Sequence, residues 1–331
     1  MNNKDNNGKW LIKKYVLNND FILLGIFLLL VCIFYSLSNN FFTLYNLKTI
    51  TINMSKSGLI VIGMGLVLIA GNIDLSVGSM IGLTSTITAL IFYFPFFSKN
   101  VIPGLVGVIL VMIAGGILGS FNAIFVVNLG LNSIITTLAT LAIFRGLSYA
   151  FIGGRVLYIN NPVILTIGRG LVGNIIPLSF IIMIILFFIL FLFLQYTKFG
   201  WNLKATGADE KVAYTFGLKV KKIKFVTFII SGIMAGFTSI IICGQIGAGT
   251  PEFGLTAELD AIIIIVLGGA SIKGGKGSAL GFFIALAILE VFTNGFVLLG
   301  FSLYLRYIVR GLILILVLTS SVVREKRQLQ L

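Results

Sequence analysis

The sequence contains no histidine, two cysteines, five prolines and ten acidic side chains in 331 residues. Without histidine, a Ser-His-Asp or Cys-His triad, a histidine proton relay and a histidine-ligated metal are all excluded. Cys32 and Cys243 each lie in an apolar run, which reads as two buried free thiols and argues against a disulfide or a thiolate-bound metal. Charged residues make up only 10% of the chain, against 58% hydrophobic residues and a mean hydropathy of +1.10. A water-soluble fold does not carry that balance. A transmembrane helix takes about 20 apolar residues, so the hydrophobic content furnishes about eight to ten spans and leaves no room for a sizeable soluble domain.

What is present is a series of apolar segments. After Lys4, Lys9, Lys13 and Lys14 comes an uncharged stretch, Phe21 to Leu37, without a small-residue cleavage site, which reads as an uncleaved first span. Others follow at about Ser57 to Ala70, Val77 to Phe97, Val101 to Val127, Asn132 to Phe151, Ile175 to Tyr196, Ile223 to Ile246, Ala261 to Ile272, Ser278 to Leu299 and Ser302 to Val323. All are expected to be helical, because an open sheet cannot satisfy its backbone in lipid. The fold class expected is therefore an all-α polytopic membrane protein of about ten transmembrane helices.

Alternating sides from a cytosolic N-terminus gives a tail at 1–20, a membrane domain at 21–323 with a cytosolic loop at 197–222, and a C-terminal tail at 324–331. The cytosolic side then collects the four N-terminal lysines, Lys198, Lys204, Lys211, Lys219, Lys221, Lys222, Lys224, Lys273, Lys276, Arg324, Lys326 and Arg327. The opposite side receives only Lys48, Lys56, Lys99, Arg155 and Arg169, and Arg145, Arg306 and Arg310 fall in or beside spans. This positive-inside bias supports an even number of spans with both termini cytosolic, and it accounts for the net charge of +14 without nucleic acid.

Two spans look interrupted, at Gly71 to Ser79 and at Gly268 to Ser278, each an apolar run followed by a glycine-rich polar break and a Gly-Ser start to the next helix. Matched interruptions in two halves point to an internal repeat and a substrate path, because unwound backbone at membrane depth survives only against protein or a cavity. Tight turns between full spans are the other reading.

One internal loop is long, basic and patterned. Asp209 can cap a two-turn helix whose first turn holds Glu210, and Gly217 can supply a left-handed C-terminal residue. Its apolar stripe of Val212, Ala213 and Phe216 either docks in a groove on a partner or rests on headgroups beside Lys204, Lys211 and the Lys219 to Lys224 cluster.

The run Ala70-Gly71-Asn72-Ile73-Asp74-Leu75-Ser76-Val77-Gly78-Ser79 resembles the signature of the permease subunits of ribose-type sugar ABC importers, within the branched-chain amino-acid/ribose permease superfamily. The likeness continues through Ile135 to Thr140, Arg145-Gly146, Gly153-Gly154, Gly200 to Gly217, Glu258 to Ile262, Val266 to Gly269, Gly274 to Ser278 and Thr293 to Gly295. Departures are Asn72 for a common glycine, and Lys273 and Glu290 at positions where small residues are usual. The resemblance implies a cobalamin-importer-type permease fold in a bacterial plasma membrane. It implies a second permease copy or paralogue, two ATP-binding-cassette ATPase domains that carry the ATP and magnesium, and an extracytoplasmic sugar-binding protein. No cofactor is expected on this chain. The segment of Gly207, Ala208, Asp209, Glu210, Val212, Ala213, Phe216 and Gly217 is similar to the coupling helix that sits in a cleft on the ATPase.

Within the membrane an ionisable group costs several kcal/mol and needs partners. Asp74 either caps the following helix or meets substrate, and Asp260 has the same ambiguity. Arg145 is either a path-facing donor or the ion-pair partner of one of the carboxylates, and Glu290 can pair with Lys273 or Lys276. A permease path must release its cargo, so sparse polar groups are expected along it. Asn72, Asp74, Ser76, Asn122, Thr136, Thr140, Arg145 and Asn294 are the candidates, and interhelical hydrogen bonds are the competing role for each. Gly275-Lys276 mimics a phosphate-binding loop, but Gly277 stands where magnesium needs Ser or Thr, so no ATPase site and no catalytic residue is expected. The rival readings are an ion-coupled secondary transporter built on Asp74, Asp260 and Arg145, and an ABC permease for a nucleoside, an autoinducer-type sugar or a branched-chain amino acid.

Overall fold

A computed structural model describes residues 19–329. Lys4, Lys9, Lys13 and Lys14 lie outside the described residues. In chain order the elements are α1 (Asn19–Leu37), α2 (Leu44–Ile69), α3 (Val77–Tyr93), α4 (Pro95–Lys99), α5 (Val101–Ala123) with a π-helical turn at Ile124–Asn128, and α6 (Ser133–Ile152). Then come β1 (Leu157–Tyr158), α7 (Pro162–Arg169), β2 (Leu171–Val172), β3 (Ile176–Pro177), α8 (Leu178–Tyr196), α9 (Lys198–Ala208) and α10 (Glu210–Thr215). The chain closes with α11 (Val220–Ile246), β4 (Ala248–Gly249), α12 (Ala257–Leu267), α13 (Ala279–Leu298) and α14 (Leu303–Leu329).

Among the described residues seven helices, α1, α2, α5 with its π turn, α6, α8, α11 and α13, are long and apolar enough to cross a membrane, and α3 is a shorter apolar helix. The architecture is therefore all-α and polytopic. The second expected span begins much earlier than Ser57: α2 is one continuous helix of 26 residues that starts behind the cap of Thr43. Lys56 consequently lies inside a helix rather than in a loop. The run expected from Val77 to Phe97 stops at Tyr93, because Pro95 starts a separate short helix. The last helix runs past Val323 into the expected tail.

α2 is the central helix, buried from Gly58 to Ile69. Small residues let helices close on one another where lipid gives no hydrophobic drive. On α5 an added Cβ at Gly119 would lie 2.9 Å from the carbonyl carbon of Phe228 on α11, and at Gly236 of α11 one would lie 2.9 Å from Val111 O. The apolar faces of α1, α5, α6 and α8 remain outward, including Leu29, Ile117, Ile135 and Phe188. Cys243 is buried as expected, but Cys32 faces outward on α1; both are free thiols.

The two ends of the bundle differ. At one end β1 pairs antiparallel with β4, Arg169 Nε donates to Gln245 O at 2.8 Å, and Lys48 Nζ donates to Asn174 O at 2.9 Å. The other end carries α9, α10 and the chain turns after α2 and α12.

Candidate functional site

Both expected interruptions are non-helical, and the first is held by another helix and not closed as a tight turn. After α2 the chain runs non-helically from Gly71 to Ser76 before α3 begins. Side chains from other helices satisfy this backbone: Ile73 N donates to Ser133 Oγ at 3.3 Å and Leu75 N to Thr137 Oγ1 at 3.1 Å, both on α6. Asp74 is fully buried and accepts from Ser76 N at 3.0 Å, Ser76 Oγ at 2.7 Å, Ser231 Oγ of α11 at 3.2 Å and Asn122 Nδ2 of α5 at 3.4 Å. Asn122 Nδ2 also donates to Ser76 Oγ at 2.7 Å. The structure thus gathers three of the predicted residues, Asp74, Ser76 and Asn122, into one knot that ties the start of α3 to α5 and α11. Asn72 is buried beside it with its Nδ2 unpartnered.

A further unwound stretch lies where the sequence reading left only a connection between two spans. Between α11 and α12, residues 247–256 run antiparallel to α3 without forming a helix. A Cβ at Gly249 would lie 2.8 Å from Ala89 Cβ, one at Gly82 2.7 Å from Pro251 O, and one at Gly254 2.8 Å from Ile81 Cβ. The unwound stretch therefore follows α3 for about 16 Å, and only small residues on both sides permit that approach. Ser85 Oγ donates to Thr250 O at 2.6 Å. Arg145 Nη1 of α6 donates to Phe253 O at 3.0 Å and also to Pro251 O. Thr256, a β-branched residue at φ +62°, turns this segment into α12, a strain of about 1–3 kcal/mol that the surrounding contacts must hold.

These placements correct three expectations. Arg145 neither pairs with Asp74, Asp260 or Glu290 nor serves as a free donor; it clamps two backbone carbonyls, with Glu258 in electrostatic reach. Asp260 pairs with Arg310 of α14, Nη1 to Oδ2 at 3.1 Å. Glu290 accepts from Ser57 Oγ at 2.6 Å with Lys56 beside it, because it lies about three turns into α13, against α2 and away from the preceding loop. Asn294 lies elsewhere, donating to Asn46 Oδ1 of α2 at 2.8 Å.

The third focus is the end bearing α9 and α10. Thr197 caps α9, a helix the sequence reading left as loop, and Asp209 caps α10, accepting from Val212 N at 3.0 Å. Gly217 follows at φ +79°. Lys224 Nζ reaches Glu210 Oε2 at 2.5 Å, which folds α10 back on α11 and buries Ala213. Ala213 therefore leaves the expected stripe; Val212, Tyr214 and Phe216 are the exposed apolar side chains, Phe216 at 82%. Gly207, near the end of α9, sits on both interruptions. A Cβ there would overlap Ile69 O and lie 2.6 Å from Gly275 N. Gly275 N in turn donates to Ile69 O at 2.9 Å, and a Cβ at Gly274 would lie 2.6 Å from Gly71 Cα. Ala208 packs on Gly275.

Finally, Thr136 and Thr140 of α6 line one groove of about 370 Å³ with Phe121, Phe125 and Asn132. Among the described residues no group of three Cys, Asp or Glu side chains gathers to hold a metal ion.

The residues overlooked in sequence were Ser231, Ser85, Glu258, Phe121 and Phe125. A signal existed for the second interruption: Gly247, Gly249, Pro251 and Gly254 punctuate the chain just after α11.

Comparison with known proteins covers most of this bundle. The family described as branched-chain amino acid transport system / permease component matches residues 46–318. The ribose import permease protein RbsC of Haemophilus influenzae is 31% identical over 305 residues, covering 91% of this chain and 92% of that protein. RbsC of Escherichia coli K12 is 32% identical over 307 residues, covering 91% and 92%. The L-arabinose transport system permease protein AraH of the same organism is 32% identical over 277 residues, covering 83% and 82%. No solved structure matches this chain.

Proposed function

This chain belongs to the branched-chain amino acid transport system permease family, and from that premise we propose that it is the membrane-spanning permease subunit of an ABC importer for a monosaccharide. The relatives named as ribose and arabinose permeases support the carbohydrate branch over amino acids. The observation that carries the mechanism is the junction at Gly207. Force applied to α10 by a partner reaches, through α9, the chain turns that follow α2 and α12. A coupling element has to touch what moves, and this one touches both.

The proposed assembly holds this chain with a second permease copy or paralogue, two ATPase domains engaging Val212, Tyr214 and Phe216, and an extracytoplasmic sugar-binding protein at the β1/β4 end. Ten crossings follow if α3 with residues 71–76, residues 247–256 with α12, and α14 are each counted as one. Both termini then fall on the α10 side, which is cytosolic by its lysines. That supports a membrane domain over 21–323 and a cobalamin-importer-type arrangement in a bacterial plasma membrane. ATP and magnesium belong to the partner, and this chain carries no cofactor or catalytic site of its own.

For the path, the groove beside α6 lined in part by the buried Thr136 and Thr140 is the candidate. Asn72, Asp74, Ser76, Asn122 and Arg145 instead hold the unwound segments, and Asn294 bridges α13 to α2. An ion-coupled carrier would need a carboxylate free to exchange its partner, and Asp74 is taken up by Ser76, Asn122 and Ser231. The test is uptake of D-ribose and L-arabinose into proteoliposomes containing the permease, its ATPase and its binding protein. Uptake should require ATP hydrolysis; accumulation driven by an ion gradient without the ATPase would overturn the reading.

A further inference from the structure

The α10 end of the bundle holds a strongly charged cleft with no counter-charge. Lys211 of α10 and Lys219, Lys221 and Lys222 at the start of α11 line one cleft of about 700 Å³. Glu210, the acidic side chain that also lines it, is already engaged by Lys224 at 2.5 Å. Among the described residues none of the four lysines has an ion-pair partner. Lys219, Lys221 and Lys222 stand at the end of α11 where the helix dipole disfavours cations, and like charges so close repel one another. Four unneutralised cations around one cleft call for an anion. Two features set its depth. From Phe225 to Ile246 α11 carries no charged residue, so Lys224 marks the boundary between headgroups and hydrocarbon. Trp201 of α9 and Tyr214 of α10 are exposed at this same end, and both are of the aromatic types that settle at a membrane interface.

We propose that the cleft between α10 and α11 binds the phosphate-bearing headgroup of an anionic phospholipid from the cytosolic leaflet, and that this headgroup steadies the coupling element. The inference rests on the importer reading and membrane orientation above and adds a ligand. The cleft has the volume of a small-ligand site and admits a glycerophosphate headgroup. Lysine ammonium groups meet a phosphate as point charges and need no fixed fork geometry. A zwitterionic headgroup brings a positive charge along with its phosphate and gains little from four lysines. Free phosphate has the same charge chemistry, but it lacks the acyl chains that hold a lipid at this depth and the local concentration that a leaflet supplies. An acidic patch on the ATPase is the other occupant able to neutralise the cleft; against it, Val212 and Phe216, the apolar pair offered for docking, do not line the cleft. One headgroup held by Lys211 and by the lysines at the start of α11 spans both helices and adds to the Glu210–Lys224 pair that folds them together. So held, α10 transmits a partner's movement and does not yield at Gly217, the left-handed residue at the junction.

The experiment uses the complete importer in a neutral detergent. Its permease carries Cys32→Ser and a polarity-sensitive fluorophore on Thr215→Cys, a cleft position, attached before the other subunits are added; Cys243 is buried and stays. Short-chain phosphatidylglycerol should shift the fluorescence saturably, and phosphatidylcholine should not. The triple variant Lys219→Gln, Lys221→Gln and Lys222→Gln should bind phosphatidylglycerol on the order of a hundredfold more weakly, about fivefold for each basic residue. No saturable shift with phosphatidylglycerol, or undiminished binding by the triple variant, overturns the proposal. Equal affinity for inorganic phosphate would make the cleft a site for a free anion, and an equal shift with phosphatidylcholine would make it a nonspecific surface; either overturns it too. So does loss of the ATPase from the triple variant on size-exclusion chromatography, which would give the lysines to that partner. In proteoliposomes, sugar taken up per ATP hydrolysed should be severalfold higher in an equal mixture of phosphatidylglycerol and phosphatidylcholine than in phosphatidylcholine alone, and the triple variant should lose that difference. Equal coupling of the wild type in both membranes overturns the role given to the lipid. Absence of ATP-driven uptake in either membrane counts against the importer reading, whereas the fluorescence titration decides the cleft by itself.

Discussion

Gly207→Ala probes the junction between the coupling element and the two unwound turns. Gly207 lies inside α9, so alanine brings a helix-propensity gain of about 0.5–1 kcal/mol. Against that gain, the new methyl overlaps Ile69 O and lies 2.6 Å from Gly275 N and 2.9 Å from the Ile69 carbonyl carbon. All three are backbone atoms, and none can rotate aside. Relief to ordinary contact distances of about 3.5–4.0 Å moves α9 away by about 1–2 Å. Overpacking of this kind costs about 1–3 kcal/mol. Straining the Gly275 N to Ile69 O hydrogen bond adds about 1 kcal/mol. The net is about 2 kcal/mol, a bias of about 30-fold against the closed junction. In proteoliposomes of the complete importer, sugar taken up per ATP hydrolysed should fall by at least about tenfold, with helix content by circular dichroism unchanged. Gly146→Ala is the control, because nothing lies within 4 Å of a Cβ built there. Wild-type coupling in Gly207→Ala would refute the junction as the transmission point.

Arg145→Gln removes the guanidinium from two buried carbonyls and should cost about 2–4 kcal/mol, read as a lower melting temperature and faster hydrogen exchange at residues 250–256. Asp74→Ala strands the donors of Ser76, Asn122 and Ser231 and should destabilise by about 2–4 kcal/mol, while Asp74→Asn keeps an acceptor and should retain uptake. A folded but inactive Asp74→Asn would instead favour an ion-coupled mechanism. Arg310→Ala leaves Asp260 charged and unpaired, at a cost of about 3–5 kcal/mol; thermal unfolding should show that the double replacement with Asp260→Asn recovers most of it.

The sequence disclosed what depends on local pattern. Apart from the start of α2, apolar runs located most of the long helices to within a few residues, and Asp209 and Gly217 marked the two ends of α10 because capping is chemistry of neighbouring residues. It did not disclose what depends on another helix. Arg145 read as a path-facing donor or the ion-pair partner of a carboxylate, since its actual partners are carbonyls more than a hundred positions away. The start of α2 was masked by Lys48, Lys56 and a row of Thr and Ser residues that hydrogen-bond back into their own helix, as Thr51 does to Leu47 O at 3.0 Å. Residues 247–256 were harder still: whether a Gly/Pro-rich stretch is a surface loop or unwound chain at depth depends on the small residues of α3 that receive it.

The two unwound stretches explain why acidic groups are tolerated at this depth. Each precedes a helix, so the first turns of α3 and α12 present unpaired amides and a partial positive charge toward the middle of the bundle. Asp74 meets that end of α3 through Ser76 N, while Glu258 and Asp260 fall in the first turn of α12. Such placement stabilises a carboxylate by about 0.3–2 kcal/mol, with Arg145 in electrostatic reach of Glu258 and Arg310 paired with Asp260. Groups so fully engaged are poorly suited to hold and release a cargo. Opening one of these sites to a solute would break several hydrogen bonds at once. A route for a neutral solute that avoids them therefore leaves the ionic framework intact while α9 and α10 move.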